Sequence, residues 1–141
     1  MFLRNERCAT ASPVGGGVAF HFSIAHEVVV VDSLVNSSRE SLYRVEAITG
    51  KNIDFHEFDL RNREMLDSVF NANSFDAVIH FAGLKAVGES VAKALHYYQN
   101  NLESTLTLLE TMKQFDVRKL VFSSSARAWL ECGTYHTGRL R

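Results

Sequence analysis

The feature that most constrains the fold of this chain is a run of four valines, Val28–Val31, that ends at Asp32. A strand that is apolar at every position, rather than at alternate ones, is typical of a parallel sheet buried on both faces. Further along the chain, short apolar segments alternate with helical patterns. We therefore predict an α/β fold in which crossover helices cover a parallel sheet.

The predicted elements alternate from Glu27 onwards. We expect strands at 27–32, 53–59, 77–81 and 120–122, and helices at about 37–48, 65–70 and 94–114. Ser37 and Glu40 have the spacing of a capping box, and Gly50 is suited to ending the first helix. In the longest helix, apolar residues from Leu95 to Met112 recur at helical spacing, which indicates a face that packs on the core or on a partner.

Composition excludes several classes of protein. The 141 residues carry 15 basic and 16 acidic side chains without a basic stripe, so we expect no nucleic-acid partner. No apolar run reaches the ~20 residues of a membrane helix, and the amino terminus lacks a secretory signal. The only cysteines, Cys8 and Cys132, favour a reducing compartment. We expect a cytosolic protein that does not bind membranes.

Candidate ligand contacts lie at the carboxyl ends of the predicted strands, where parallel sheets bind their ligands. Asp32 stands where a dinucleotide fold places an acid that accepts hydrogen bonds from the adenosine ribose and repels a 2′-phosphate, favouring NAD over NADP. An equally simple interpretation is that Asp32 caps a helix or turn. Asp59 has the same two interpretations, and beside an adenine it could accept a hydrogen bond from the exocyclic amine.

Small and basic residues follow the third predicted strand. Ala82 and Gly83 leave room for the backbone to approach a ligand, and Lys85 could reach a phosphate or ribose oxygen or be a solvated surface lysine. The six histidines show no metal-ligand spacing, so we predict no metal site. His80 is expected to be a packed, hydrogen-bonded core residue.

One motif resembles a known family. UDP-glucose 4-epimerases, within the extended short-chain dehydrogenase/reductase superfamily, have a run similar to His80-Phe81-Ala82-Gly83-Leu84-Lys85-Ala86-Val87-Gly88-Glu89-Ser90-Val91. Their order and spacing are also similar at Tyr97-Tyr98, Asn100-Asn101 and 121–126. The resemblance covers about residues 25–126.

The resemblance implies a Rossmann-like, doubly wound fold that binds NAD and interconverts UDP-glucose and UDP-galactose by transient hydride transfer to the bound cofactor. It implies that Ser125 relays a proton, and that a homodimer forms through the helix containing Tyr97 and Tyr98. It also implies the cofactor contacts, which would be Asp32, Ser33, Asn36, Ser37, Asp59, Leu60, Phe81, Ala82, Gly83, Leu84, Lys85 and Asn100.

The chain departs from the family at both ends. The family's spaced glycines are replaced by adjacent ones, Gly15–Gly17, and no convincing strand precedes them. We expect the first strand and the glycine-rich turn to be degraded, which would expose Val28–Val31. After Ala126 the resemblance stops, and Tyr135 is followed four residues later by Arg139 rather than by the lysine of the catalytic Tyr-x-x-x-Lys pair. We therefore expect the catalytic Tyr and Lys, and the carboxyl-terminal substrate domain, to be absent.

These observations divide the chain into an atypical amino-terminal segment, 1–24, an NAD-binding Rossmann-like domain, 25–126, and an unrelated-looking tail, 127–141. By itself such a chain is expected to be catalytically inactive. Two alternatives are a non-catalytic nucleotide-binding or dimerisation module, and a sugar-nucleotide dehydratase or decarboxylase relative. The string from Gly83 to Ser90 argues against the second alternative.

Overall fold

A five-stranded sheet organises the fold. The computed structural model describes residues 2–4, 27–84 and 86–123. Its strands are β1 (Phe2–Arg4), β2 (Glu27–Asp32), β3 (Asp54–Glu57), β4 (Ala77–His80) and β5 (Leu120–Phe122), in the order β3-β2-β1-β4-β5. Its helices are α1 (Glu40–Thr49), α2 (Arg63–Ala72), α3 (Val87–Ala92) and α4 (Ala94–Gln114).

Two parallel strand pairs confirm the predicted α/β, Rossmann-like class. β2 pairs with β3 and β4 pairs with β5, both parallel, and helices connect the members of each pair. The four valines Val28–Val31 are between 0% and 7% exposed. This burial is the reason that the strand is apolar at every position.

β1 corrects the expectation of a wholly parallel sheet. It lies between β2 and β4 and runs antiparallel to both, with Phe2 opposite Val29 on one side and Val78 on the other. The inner edges of β2 and β4 both need partners for their backbone N–H and C=O groups, and a short segment of either direction can supply them. The expectation that Val28–Val31 would be exposed is therefore wrong. Gly15–Gly17 lie outside the described residues.

The longest helix, α4, has the predicted bounds, and its apolar residues divide between two faces. Leu108 and Met112 are buried in the core, whereas an outer row remains 41% to 71% exposed. The outer row consists of Leu95, Tyr98, Leu102, Leu106 and Leu109. α3 was not predicted; it precedes α4 directly. No helix in the described part of the chain is long and apolar enough to cross a membrane.

The start of α1 differs from the prediction, and its end does not. The N-cap is Arg39, without a side-chain cap; the Ser37 hydroxyl donates to Asp32, and the Glu40 N–H donates to the Ser38 hydroxyl instead of to Ser37. The predicted capping box is therefore wrong. At the other end Gly50 adopts a left-handed conformation (φ 66°), and its N–H donates to the Glu46 carbonyl, which confirms the predicted helix stop.

Candidate functional site

A cavity of about 170 Å³ lies at the carboxyl ends of β2, β3 and β4. Nine of the predicted cofactor contacts line it, namely Asp32, Ser33, Asn36, Asp59, Leu60, Ala82, Gly83, Leu84 and Asn100. These residues come from four separate stretches of the chain. The strand order brings them together at the edge of the sheet where parallel folds bind ligands.

Within the described part of the chain, Asp32 accepts hydrogen bonds through one of its carboxylate oxygens. Oδ1 accepts hydrogen bonds from the Leu34 N–H at 2.9 Å and from the Ser37 hydroxyl at 3.0 Å. These contacts shape the loop after β2, in which Leu34 has a positive φ of 55°. Among the described residues Oδ2 has no hydrogen-bond donor, and Asp32 lines the cavity. The residue therefore holds the loop with Oδ1, while its side chain also lines the cavity.

Asp59 is paired with Arg61, which also lines the cavity. The Arg61 guanidinium donates to both carboxylate oxygens, at 2.6 to 3.1 Å, and the Arg61 backbone N–H donates to Oδ1 at 2.9 Å. The hydrogen bonds from Arg61 lower the pKa of the Asp59 carboxyl against the opposing effect of burial. Asp59 therefore carries a negative charge at neutral pH, and the paired guanidinium compensates it.

The segment after β4 forms another wall of the cavity. Ala82, Gly83 and Leu84 are partly exposed, and Gly83 has a φ of 153°, in a region that side chains rarely adopt. The Asn101 side chain contacts this segment through the Leu84 backbone, at 2.8 Å to its nitrogen and 3.1 Å to its oxygen. The wall is thus held by a residue of α4.

Sequence reasoning missed several cavity residues. These are Val31, Val35, Phe58, Arg61, His96 and Ser104. Two of them had a signal in the sequence. Arg61 follows Asp59 by two residues, a spacing suited to a charge pair just beyond a strand. His96 precedes Asn100 by four residues, so the two share a helix face.

Other predicted site residues lie away from the cavity lining or outside the described residues. Ser37 contacts Asp32, and Phe81 packs against the hydrophobic core. Lys85 and Ser125 lie outside the described residues. His80 is 1% exposed, and its Nε2 is 3.0 Å from the Thr105 hydroxyl, which confirms a packed, hydrogen-bonded core residue. Among residues 2–4, 27–84 and 86–123, no group of His, Cys, Asp and Glu side chains is arranged to hold a metal ion.

The sequence matches a known protein family over most of its length. Residues 18–132 match the family described as NAD dependent epimerase/dehydratase. The chain belongs to this family. It is 59% identical over 104 residues to the UDP-glucose 4-epimerase of Bacillus subtilis, and 54% identical over 109 residues to that of Dictyostelium discoideum. These alignments cover 74% and 77% of the chain, and the resemblance to UDP-glucose 4-epimerases is thereby confirmed.

Solved structures of this family have the same fold. The UDP-glucose 4-epimerase of Bifidobacterium longum, in complex with NAD+ and UDP, has a TM-score of 0.80 and 44% identity over 95% of this chain and 40% of its own. The enzyme of Stenotrophomonas maltophila, with bound NAD and formylated UDP-arabinopyranose, has a TM-score of 0.79 and 34% identity, over 90% of this chain and 38% of its own. The chain spans 31% of the length of each of the two curated relatives.

Proposed function

We propose that this chain forms the adenosine-binding part of an NAD site in a UDP-glucose 4-epimerase. The observation that carries the proposal is the convergence of Asp32, Asp59 and Asn100 on one cavity at the carboxyl edge of the sheet. In this proposal residues 25–126 are the cofactor domain, and the protein works in the cytosol.

The donor and acceptor groups of the cavity suit adenosine. Oδ2 of Asp32 accepts a hydrogen bond from a ribose hydroxyl, and its negative charge repels a 2′-phosphate, so NAD is favoured over NADP. The adenine amine donates to Asp59, which the Arg61 pairing keeps ionised. Ser33 and Asn36 add polar groups from the loop after β2.

The remaining predicted contacts serve the rest of the cofactor and the substrate. In this proposal the ribose and phosphate groups of the cofactor are contacted by Phe81 to Lys85 and by Asn100. Bound NAD supplies a reversible hydride acceptor for the interconversion of UDP-glucose and UDP-galactose. The Ser125 hydroxyl, which can both donate and accept, relays a proton in that reaction. The sequence contains no Tyr-x-x-x-Lys pair, so we expect the chain alone to bind NAD without turning over a UDP-sugar.

Thermal unfolding of the full chain tests cofactor binding. With NAD at a hundred times its dissociation constant, the apparent free energy of unfolding should rise by about 2.7 kcal/mol. NADP at the same concentration is the control, and it should shift the transition much less. A cooperative transition that NAD leaves in place would contradict the proposal.

A chimera tests the reaction. Residues 27–123 are inserted into the Bacillus subtilis enzyme in place of the segment that they match. Because the two sequences are 59% identical over 104 residues, we expect the chimera to fold and to retain UDP-glucose 4-epimerase activity. A folded, NAD-containing chimera that does not epimerise UDP-galactose would favour the dehydratase or decarboxylase alternative.

We also propose that the outer face of α4 forms a homodimer contact. The exposed row Leu95, Tyr98, Leu102, Leu106 and Leu109 follows helical spacing along one face. Leu108 and Met112 of the same helix are buried in the core, so the exposed row lies outside the face that packs on the sheet. A continuous apolar row of this length is typical of an interface rather than of scattered surface residues.

A further inference from the structure

We propose that Asn101 is a positioning residue that clamps the Leu84 backbone and thereby fixes the wall of the cavity after β4. The inference rests on the proposed function in one respect, namely that this wall contacts the cofactor. Asn101 itself does not line the cavity. Its role is therefore exerted through the backbone of Ala82–Leu84.

The Asn101 amide pairs with the Leu84 backbone much as a neighbouring strand would. The Leu84 N–H donates to Oδ1 at 2.8 Å, and Nδ2 donates to the Leu84 carbonyl at 3.1 Å. Both backbone groups of Leu84 thereby receive partners in a segment that has left the sheet. A side-chain amide is suited to this, because it carries one acceptor and one donor on the same planar group.

Gly83 lets the two segments approach. A Cβ built on Gly83 would lie 3.3 Å from Asn101 Oδ1, closer than most side chains tolerate, and its φ of 153° also disfavours a side chain. The clamp and the backbone conformation thus both disfavour a side chain at Gly83. Asn101 has a further orienting contact, because Nδ2 of Asn100 donates to its Oδ1 at 3.1 Å.

A partly buried chain of hydrogen bonds links the Asn101 backbone to β4. The Thr105 hydroxyl donates to the Asn101 carbonyl at 2.7 Å, and its oxygen lies 3.0 Å from His80 Nε2. Since the hydroxyl has a single hydrogen, Nε2 must be the donor in the second contact. His80 ends β4, and Leu84 follows it by four residues. The clamp therefore ties the wall to the strand from which it emerges.

Amide hydrogen exchange of the full chain without ligand tests the clamp directly. In Asn101→Ala the Leu84 N–H loses its acceptor, and we expect its exchange rate to rise about tenfold, while Val29–Val31 stay protected. Asn101→Asp keeps the acceptor but loses the donor, so it should have a smaller effect and serves if the alanine variant does not fold. Asn71→Ala removes an exposed amide from α2 and is the matched control. Unchanged exchange at Leu84 in both Asn101 variants would overturn the inference.

Ligand affinity separates positioning from general stability. In the proposed site AMP is held mainly by Asp32 and Asp59, whereas NAD has further ribose and phosphate groups for the wall after β4 to contact. We expect Asn101→Ala to weaken NAD binding about tenfold and AMP binding by less than about twofold. Equal weakening of both ligands would indicate a merely structural role and overturn the inference. If the unaltered chain binds neither ligand, the proposed function fails, and the exchange measurement alone decides whether the clamp exists.

Discussion

The Ser37 hydroxyl donates a 3.0 Å hydrogen bond to Oδ1 of Asp32, the same oxygen that accepts the Leu34 N–H. Both contacts fall on one carboxylate oxygen, so the loop after β2 is shaped without using the other. The two interpretations of Asp32 from the sequence, turn-capping residue and ribose acceptor, are therefore compatible. Each is assigned to a different oxygen of one side chain.

This division predicts how Asp32→Asn will behave. Asparagine keeps an acceptor for Leu34 and Ser37, but it replaces the free oxygen and the charge by an amide donor. We expect the chain to remain folded and NAD affinity to fall roughly 10- to 100-fold, the range for a hydrogen bond to a charged group. Discrimination against NADP should also decrease. Calorimetric titration with both cofactors measures this.

Ser37→Ala is the matched control for that substitution. It removes one donor to Oδ1 and leaves the carboxylate in place, so NAD affinity should change by less than about threefold. Equal losses in the two variants would mean that Asp32 acts only through the loop.

The sequence predicts those residues of the site that directly follow a strand. Asp32 and Asp59 follow apolar strands, and that position alone brought them to the same edge of the sheet. The direction of β1 could not be predicted, because Phe2–Arg4 is short and its pairing depends on two distant strands. The start of α1 was mispredicted because the spacing of Ser37 and Glu40 does not show which groups their polar atoms contact. The Ser37 hydroxyl donates to Asp32, five residues earlier at the end of β2, and the Glu40 N–H donates to the Ser38 hydroxyl.

From the sequence, Asn101 stands out only as part of the Asn100-Asn101 pair that resembles the epimerases. Nothing local to α4 indicates that its amide would contact Leu84, since the contact joins positions separated by 17 residues. Likewise, the pattern from Leu95 to Met112 predicted one apolar face. In the structure the apolar residues of this helix form two sets, one buried in the core and one exposed in the outer row.

The Asp59–Arg61 pair predicts a dependence of stability on pH. The hydrogen bonds from Arg61 lower the pKa of the Asp59 carboxyl below its ordinary value of 3.8. Its contribution to the free energy of unfolding is therefore fully present above the unfolded-state pKa and is lost as the pH falls through the lower, folded-state pKa. A partly exposed pair of this kind contributes about 1 kcal/mol or less.

Comparing the chain with Asp59→Asn by denaturant unfolding between pH 7 and pH 2 measures this contribution. The two proteins should differ at pH 5 to 7, and the difference should shrink as the pH falls below the unfolded-state pKa of 3.8. A difference that stays constant down to pH 2 would show that the charge of Asp59 is not involved.

Gly50 predicts a conformational cost of substitution at the end of α1. An alanine there would have to adopt the left-handed conformation (φ 66°), although nothing lies within 4 Å of the added Cβ. We expect Gly50→Ala to destabilise the chain by about 1 kcal/mol through backbone strain alone. Chemical denaturation measures it.

Gly88 is the matched control, since it lies within α3, has no positive φ, and also has nothing within 4 Å of an added Cβ. Gly88→Ala should be neutral or stabilising by up to about 1 kcal/mol, because alanine is the better helix former. A destabilisation as large as that of Gly50→Ala would refute the argument from backbone conformation.

The proposed dimer predicts a change of mass on charging the outer face of α4. Leu102 and Leu106 are 55% and 59% exposed, so Leu102→Glu and Leu106→Glu should leave the fold of one subunit intact. In a dimer through this face, however, each substitution would bury two unpaired carboxylates, one from each subunit. Analytical ultracentrifugation should then find a dimer for the unaltered chain and a monomer for both variants. Ile48→Glu, at an apolar position on α1 that is 69% exposed, should remain dimeric. An unaltered chain that stays monomeric at all concentrations would contradict the proposed contact.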